Sequence, residues 1–167
     1  MRILSLAAAV SVAIATSGCV PPTALPPRSA LQIREIQTRN FGTADTRLVM
    51  KAVLNALQDE GFVTRNAVSD LGLITATKEE DTEQQSAVLF NTLFMGRDAV
   101  WPKSSIIEAT INVTEFGKET RVRVSFHQKM LDNRGGTMSV TEVDSPGVYQ
   151  DFFSKVDKSV FLQGAKI

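Results

Sequence analysis

The stretch Ile106–Met130, IIEATINVTEFGKETRVRVSFHQKM, decides the fold of this chain. Apolar and polar residues alternate with a period of two on both sides of Phe116–Glu119, as in strands with one buried face and one solvent-facing face. Phe116–Glu119 contains a glycine that suits a tight turn, so the stretch predicts a β-hairpin. The apolar positions are Ile107, Ala109, Ile111 and Val113 in the first strand, and Val122, Val124, Phe126 and Met130, together with Gln128, in the second.

Upstream of the hairpin, the sequence predicts a strand, a helix and two further strands. Leu31–Phe41 has β-forming residues and partial alternation, with a change of phase that indicates a bulge. Asp45 can cap a helix that ends at Gly61, and Leu57 and Phe62 are expected to meet in a Schellman cap. The apolar stripe of this helix is Met50, Val53, Leu54 and Leu57. The two following strands are Phe62–Asn66 and Leu73–Lys78, with a turn at Ser69–Gly72.

Downstream of the hairpin, a turn at Asp132–Gly136 leads to a predicted strand, Thr137–Val143, and a final helix. Asp144 or Ser145 can cap this helix, and Pro146 lies near its first turn. Burying one aromatic side chain is worth roughly 2 to 3 kcal/mol, so this helix is predicted to be a principal part of the core. Its apolar stripe is Tyr149, Phe152, Phe153, Val156 and Val160, with Phe161 expected to widen it.

These elements predict an α+β fold, a two-layer sandwich with a mainly antiparallel sheet covered on one face by two or three helices and open on the other. This layout resembles the helix-grip domains of BamC, a lipoprotein of the outer-membrane assembly machinery. The segments REIQTRNF, LQDEGF, LGLITATK and YQDFFSKVDKSVFL resemble a family of small, functionally uncharacterised bacterial lipoproteins. The second resemblance spans most of the predicted mature chain and implies no mechanism.

The N-terminus has the pattern of an export signal. Arg2 supplies a positive charge, and Ile3–Ala15 is an uncharged apolar run, well short of the roughly 20 residues of a spanning helix. Small residues then precede Cys19, which resembles a bacterial lipobox, although Thr16 stands where such sequences usually carry an aliphatic residue. The resemblance implies cleavage before Cys19 and lipidation of its thiol. Since Cys19 is the only cysteine, lipidation also explains an odd cysteine in an exported chain, whereas an ordinary signal peptide would not.

The chain therefore divides into three predicted segments. Residues 1–18 are the lipoprotein signal peptide, residues 19–29 are the lipidated cysteine and a proline-rich tether, and residues 30–167 are a single domain. The mature chain would have 149 residues, with 17 basic and 18 acidic side chains. That balance lacks the basic excess typical of proteins that bind nucleic acid. Val20, rather than Asp, follows the cysteine, which by analogy with enteric sorting indicates the outer membrane.

No set of residues predicts catalysis. His127, the only histidine, is a candidate general base beside Ser125 or Glu108, but no third group is evident to orient its imidazole. Strand parity favours an exposed polar face shared by His127, Arg121, Arg123, Ser125 and Lys129. The acidic residues Glu79–Glu83 are assigned to a solvated helix start in preference to a weak divalent-ion site. The spacing of possible ligands predicts neither a metal site nor a cofactor.

The segment from Thr82 to Trp101 is apolar and lies in a long connection between strands. It either packs onto the sheet as a third helix or forms a partly exposed groove or flap that takes a partner or a lipid tail. Phe90, Phe94 and Trp101 are its predicted partner-binding residues, with Trp101 as the anchor. Arg121 and Arg123 are the corresponding candidates on the open sheet face.

The sequence thus predicts a non-catalytic lipoprotein, held by lipid on Cys19 to the periplasmic leaflet of the outer membrane. We expect it to dock another envelope protein as an assembly accessory factor and not to bind nucleic acid. The alternative is a carrier that holds a lipid or a peptidoglycan fragment between helices and sheet, and an enzyme is the third possibility. A large cavity would favour the carrier, and an exposed apolar patch would favour docking.

Overall fold

The computed structural model describes residues 28–81 and 100–165, which form three α-helices and six strands. Cys19, Phe90 and Phe94 lie outside these residues. In chain order the elements are α1 (Ala30–Ile36), β1 (Thr38–Phe41), α2 (Thr46–Asp59), β2 (Val63–Val68), β3 (Leu73–Asp81), β4 (Pro102–Phe116), β5 (Glu119–Asp132), β6 (Thr137–Glu142) and α3 (Pro146–Gly164).

The six strands form one antiparallel sheet in the order β1-β5-β4-β3-β2, with β6 also paired to β5. The predicted hairpin is its centre, and both of its strands are longer than predicted, since they pair from Pro102 with Asp132 to Phe116 with Glu119. Two strands share the outer edge of β5, because β1 pairs with residues 120–123 and β6 with residues 127–131. A gap is therefore left between β1 and β6 along that edge.

Helices α2 and α3 pack on one face of the sheet, which confirms the predicted two-layer sandwich. The alternation of the hairpin explains this arrangement, because every second side chain points to the helices. Ile107, Gln128 and Met130, toward the far end of the hairpin, are only half-buried. The buried apolar side chains of the sheet are Phe41, Ile74, Ala76, Ala109, Ile111, Val113, Val122, Val124 and Phe126. Those of the helices are Val49, Met50, Ala52, Val53, Ala56, Leu57, Tyr149, Phe152, Phe153 and Val156.

The prediction of a strand over Leu31–Phe41 is wrong for most of its length. Ala30–Ile36 is a helix, and only Thr38–Phe41 is a strand. The helix begins with a capping box, in which the Ser29 hydroxyl accepts from the Gln32 N–H and the Gln32 side chain accepts from the Ser29 N–H. This box is a sequence signature of a helix start. The change of phase therefore reflects helical spacing and not the predicted bulge.

The predicted caps of α2 are confirmed. An Asp45 carboxylate oxygen accepts from the Leu48 N–H at 2.9 Å. At the other end Gly61 has φ +82°, and the Phe62 N–H donates to the Leu57 carbonyl at 2.9 Å, which is the long hydrogen bond of a Schellman cap. These caps hold the ends of the helix whose apolar stripe covers the sheet.

The last helix also follows its prediction, with one exception. Ser145 is the N-cap and Pro146 the first helical residue, and the predicted stripe is buried as far as Val156. Phe161 does not widen this stripe, because its side chain is 71% exposed. It lies five residues beyond Val156, which is about 140° around the helix. The turn that carries it therefore presents the ring to solvent.

Gly72 permits a close approach between β3 and β4. It follows a short 3-10 turn, Ser69–Leu71, and has φ +62°. Its carbonyl accepts from the Val113 N–H at 2.8 Å. A Cβ atom at this position would lie 1.9 Å from the Val113 carbonyl oxygen. Only glycine satisfies both the left-handed backbone and the contact.

Candidate functional site

The sheet has a second face, turned away from α2 and α3, which we call the open sheet face. As the alternation predicted, the strand register places Arg121, Arg123 and His127 on it. The rows of neighbouring side chains across the strands are Val68, Leu73, Asn112, Arg123 and Thr38; Asn66, Thr75, Thr110 and Ser125; Val63, Thr77, Glu108, His127 and Glu142; and Glu79, Ile106, Lys129 and Val140. Polar and charged side chains are mixed here with separate apolar ones.

Four residues at the hairpin end of this face form a connected group that we call the Phe116 pad: Phe116, Arg121, Asn40 and Glu119. The Arg121 guanidinium carbon lies 3.5 Å from the centroid of the Phe116 ring, a cation–π contact. Arg121 Nε donates to Asn40 Oδ1 at 3.1 Å, and Asn40 Nδ2 donates to Glu119 Oε2 at 3.0 Å. The Phe116 side chain is 49% exposed. The pad thus presents an aromatic ring and a positioned guanidinium to solvent.

Arg123 lies beside the gap between β1 and β6. Its guanidinium Nη2 is 3.5 Å from Gln37 Oε1, and its side chain is exposed. Gln37 is buried in the gap, where its carbonyl accepts from the Val124 N–H at 2.9 Å. Its Nε2 donates to Glu142 Oε1 at 2.7 Å. The amide side chain therefore links the sheet edge to a carboxylate of β6.

Tyr149 of α3 also lies at the gap between β1 and β6. Its hydroxyl donates to the Val143 carbonyl at 2.7 Å and accepts from the Phe126 N–H at 3.5 Å. The hydroxyl therefore bridges the Phe126 N–H and the Val143 carbonyl, next to the direct hydrogen bond from the Val143 N–H to the Phe126 carbonyl. Burial raises the pKa of Tyr149, against the opposing effect of hydrogen bonds from Gln37 and Phe126. This arrangement is structural, because it satisfies polar groups at a sheet edge.

His127 has two carboxylates as its cross-strand neighbours, Glu108 on β4 and Glu142 on β6. Ser125 and Lys129 flank it along its own strand. The Glu142 carboxylate accepts from Gln37, and the described structure contains no hydrogen bond between His127 and Ser125. A nucleophile activated by a base requires such a hydrogen bond. Across the described part of the chain, no three His, Cys, Asp or Glu side chains converge as a metal-binding group.

Trp101 lies at the opposite end of the hairpin from the Phe116 pad. Its side chain is half-buried, and its backbone exchanges hydrogen bonds with Asn133, as N–H donor to the Asn133 Oδ1 at 3.4 Å and as carbonyl acceptor at 3.1 Å. The twelve residues of β4 between Pro102 and Thr114 separate Trp101 from Arg121 by about 40 Å. The structure therefore does not bring Trp101 together with Arg121 and Arg123 in one site.

A cleft of about 210 Å³ opens on the other side of the sheet, between α2, α3 and the strands. Its floor is apolar, and charged side chains stand at its rim. The floor consists of Phe62, Ile107, Phe126 and Phe152, the charged rim of Glu60, Lys78 and Asp151, and Val148 completes the lining. The volume is below the range of roughly 300 to 1,000 Å³ that is usual for ligand pockets. The cleft is therefore large enough only for a small apolar group.

Sequence reasoning missed the aromatic half of the Phe116 pad. The alternation of β4 does indicate where this ring lies. Asn112, Thr114 and Phe116 are alternate residues, and they belong to the solvent-facing set of the strand. The predicted turn included Phe116, so the ring was not counted with that face. Asn40 and Glu119 join the pad through pairing of β1 with β5, about eighty residues away in sequence, which no local pattern indicates.

The helices within residues 28–81 and 100–165 do not include one that is both long and apolar enough to cross a membrane. Comparison with known proteins adds no assignment to this geometry. No protein-family model matches the chain, and no curated protein matches it.

Proposed function

We propose that this chain is a non-catalytic envelope lipoprotein that docks another protein through its open sheet face, with the Phe116 pad at the centre of contact. The observation that carries the proposal is the half-exposed Phe116 ring beneath the Arg121 guanidinium. Arginine and aromatic residues are among the side chains in which interface binding energy is concentrated. Because Asn40 holds the guanidinium in place, little side-chain freedom remains to be lost on binding.

The rest of the open sheet face supports a protein partner. Large apolar side chains that are at least a third exposed come from four strands: Val63, Leu73, Phe116 and Val140. Carboxylates, cations and hydroxyls separate them, so neither sign of charge dominates. Mixed surfaces of this kind are typical of non-obligate protein interfaces. A nucleic acid would favour a face dominated by cations.

The lipobox resemblance at Cys19 supports attachment by acyl chains to the periplasmic leaflet of the outer membrane. In this proposal the tether would meet the domain beside the start of α3. An Arg28 guanidinium nitrogen donates to the Asp144 carbonyl at 2.6 Å, just before α3. Asp144 lies two residues after Glu142, which pairs with His127 of β5. His127 and Arg121 of the pad are six residues apart along β5, which is about 20 Å. The junction therefore leaves the pad accessible.

The alternative, a carrier of a lipid or a peptidoglycan fragment, draws on the cleft floored by Phe62 and Phe152. That cleft is small for either ligand, as its volume shows. A wider cleft of about 380 Å³ lies beside α2 and β2. Docking is preferred because the Phe116 pad supplies an exposed aromatic ring and a positioned guanidinium.

A site-specific photocrosslinker tests the proposal in native envelopes. Thr114, the exposed neighbour of Arg121 on the open sheet face, is the test position, and Ser154, exposed on α3, is the matched control. We expect the probe at Thr114 to capture one defined protein and the probe at Ser154 not to capture it.

Phe116→Ala is the variant that connects capture to the pad. It should leave the melting temperature nearly unchanged, because the ring is half-exposed, and weaken the purified complex by about 2 kcal/mol, the scale of an interface hot spot. Equal capture from both crosslinker positions, or full affinity in the Phe116→Ala variant, would reject docking through this face.

A further inference from the structure

The charges of the open sheet face are segregated between its two ends. At the hairpin end, around the Phe116 pad, the strand register places two arginines and one carboxylate: Arg121, Arg123 and Glu119. In the last two rows, around His127, it places three carboxylates and one lysine: Glu79, Glu108, Glu142 and Lys129. Arg65, from the bulge of β2, adds a cation to this far end, where its Nε donates to Thr77 Oγ1 at 2.8 Å. The row between the two ends is uncharged and consists of Asn66, Thr75, Thr110 and Ser125.

The two ends act on a partner independently at physiological salt. Arg123 and His127 are four residues apart along β5, which is about 13 Å. Exposed charges are largely screened from each other beyond about 8 Å at physiological ionic strength. The carboxylates of the far end therefore do not neutralise the arginines of the hairpin end.

Neither arginine forms an ion pair within the described ranges, 28–81 and 100–165. The carboxylate of the pad, Glu119, accepts instead from Asn40. Among the described residues Arg121 donates a hydrogen bond only through Nε, while its guanidinium is held against the Phe116 ring. Its two Nη groups therefore remain for a partner. A positioned guanidinium with free N–H donors matches a carboxylate, which it can bind in a bidentate pair.

We propose that the partner of the open sheet face presents an acidic protein segment to the hairpin end, with one carboxylate on Arg121 and a second on Arg123. The two arginines are alternate residues of one strand, so their Cα atoms are about 7 Å apart. Alternate residues of an extended segment have the same spacing, and an apolar side chain of that segment covers the exposed part of the Phe116 ring. The inference rests on the proposed docking function and adds the chemistry and the position of the partner.

The far end of the face favours a protein segment over an anionic membrane surface. A membrane would bring negative charge to the whole face, including the rows that contain Glu79, Glu108 and Glu142. Like charges that are brought together oppose binding. A protein segment can contact the arginines alone, and the same repulsion keeps it at the hairpin end.

Charge reversal at Arg123 tests the inference, because this side chain is exposed and its replacement leaves the contact between Arg121 and Phe116 in place. The full chain in native envelopes carries the photocrosslinker at Thr114, and the captured complex is then purified without the crosslinker for affinity measurements. We expect Arg123→Glu to weaken the complex by about tenfold or more, with a larger loss at low salt than at high salt.

The matched control is Lys158→Glu, the same change of charge on the exposed surface of α3, which should keep full affinity. A thermal melt checks that each variant is folded. If Arg123→Glu does not fold, Arg123→Gln takes its place, with a smaller expected loss of affinity because the charge is removed and not reversed.

A charge swap is the second test. The crosslinked peptide identifies the partner segment, which should contain two carboxylates. Changing the carboxylate that binds Arg123 to a lysine should restore affinity for the Arg123→Glu variant. Capture of phospholipid in place of protein at Thr114 would overturn the inference. So would a captured segment without carboxylates, or equal affinity of Arg123→Glu and the unsubstituted chain, although both of these results would leave docking through this face intact. Absence of any capture at Thr114 would reject docking and this inference with it.

Discussion

At the scale of single residues, Gly72 is a position where one added carbon atom should destabilise the fold. Gly72→Ala combines a strained left-handed backbone with a Cβ that would lie 1.9 Å from the Val113 carbonyl oxygen. Since backbone must move to relieve that contact, we expect a loss of at least about 3 kcal/mol in the free energy of unfolding, measured with urea.

The control for this variant is Gly117→Ala. Gly117 has nearly the same backbone, φ +65°, but no atom lies within 4 Å of the place that a Cβ would occupy in the hairpin turn. Its substitution should cost only about 1 kcal/mol, the usual strain of a non-glycine residue with positive φ. Equal losses in the two variants would show that contact with Val113 does not matter.

The hydroxyl of Tyr149 leads to a prediction about pH. Burial raises its pKa in the folded state, so its contribution to stability is complete below the unfolded pKa of about 10 and is lost as pH rises through the folded pKa. Tyr149→Phe should cost about 1 to 2 kcal/mol at neutral pH, because the Val143 carbonyl loses its donor. That difference should shrink above pH of about 10.

Urea unfolding of both proteins across this pH range measures the difference directly. Tyr149 is the only tyrosine of the chain, so the ultraviolet absorbance of tyrosinate reports its ionisation without interference from other tyrosines. A midpoint at or below the ordinary tyrosine value would contradict the burial of the hydroxyl.

At the scale of elements, α3 supplies a large part of the core through its aromatic stripe. Phe152 is only 3% exposed and meets the Phe126 ring edge-on at 5.5 Å between centroids. Phe152→Ala should lower the free energy of unfolding by about 3 to 5 kcal/mol, through lost burial and the cavity left behind. A thermal melt monitored by circular dichroism measures it.

Phe161→Ala is the control within the same helix. Its ring is 71% exposed, so the same chemical change should alter the melting temperature little. Similar effects at both positions would mean that helix propensity, rather than packing on the sheet, accounts for the loss.

The segment from Thr82 to Trp101 remains a predicted partner-binding element. If Phe94 belongs to a docking surface, Phe94→Ser should spare the melting temperature and weaken partner capture by about 2 kcal/mol, because an apolar side chain in such a surface contributes to binding but not to folding. A variant that instead loses its fold by circular dichroism would assign this segment to the core. Capture through the open sheet face would then be the remaining explanation.

Sequence patterns predicted the elements whose signals are local. The alternation over Ile106–Met130 predicted the central hairpin, and Asp45 and Gly61 predicted the limits of α2. The strand predicted over Leu31–Phe41 failed because a short helix with half-buried Ile33 and Ile36 mimics irregular alternation. The gap filled by Gln37 and Tyr149 could not be predicted, because it exists only after strands distant in sequence have paired with β5.

At the scale of the whole molecule, the first prediction concerns the proposed attachment of the domain to a membrane. The lipobox resemblance predicts that Cys19→Ser abolishes acyl labelling and leaves an uncleaved or released form. Labelling with a radioactive fatty acid and fractionation of envelopes measure both effects. The folded domain should keep its melting temperature, since its first described helix begins at Ala30, well after Cys19. Unchanged acyl labelling in this variant would contradict lipid attachment at Cys19.

The shared edge of β5 also has a consequence for the order of assembly. Strand β1 pairs with a segment that follows it about eighty residues later, whereas β4, β5 and β6 are joined by short turns. Closing a long loop costs more chain entropy than closing a hairpin, so the local pairings should form first. When the chain is made with its N-terminus first, β1 remains without its pairing strand until nearly the whole domain has been made. Folding then starts in the C-terminal half and finishes with the pairing of β1.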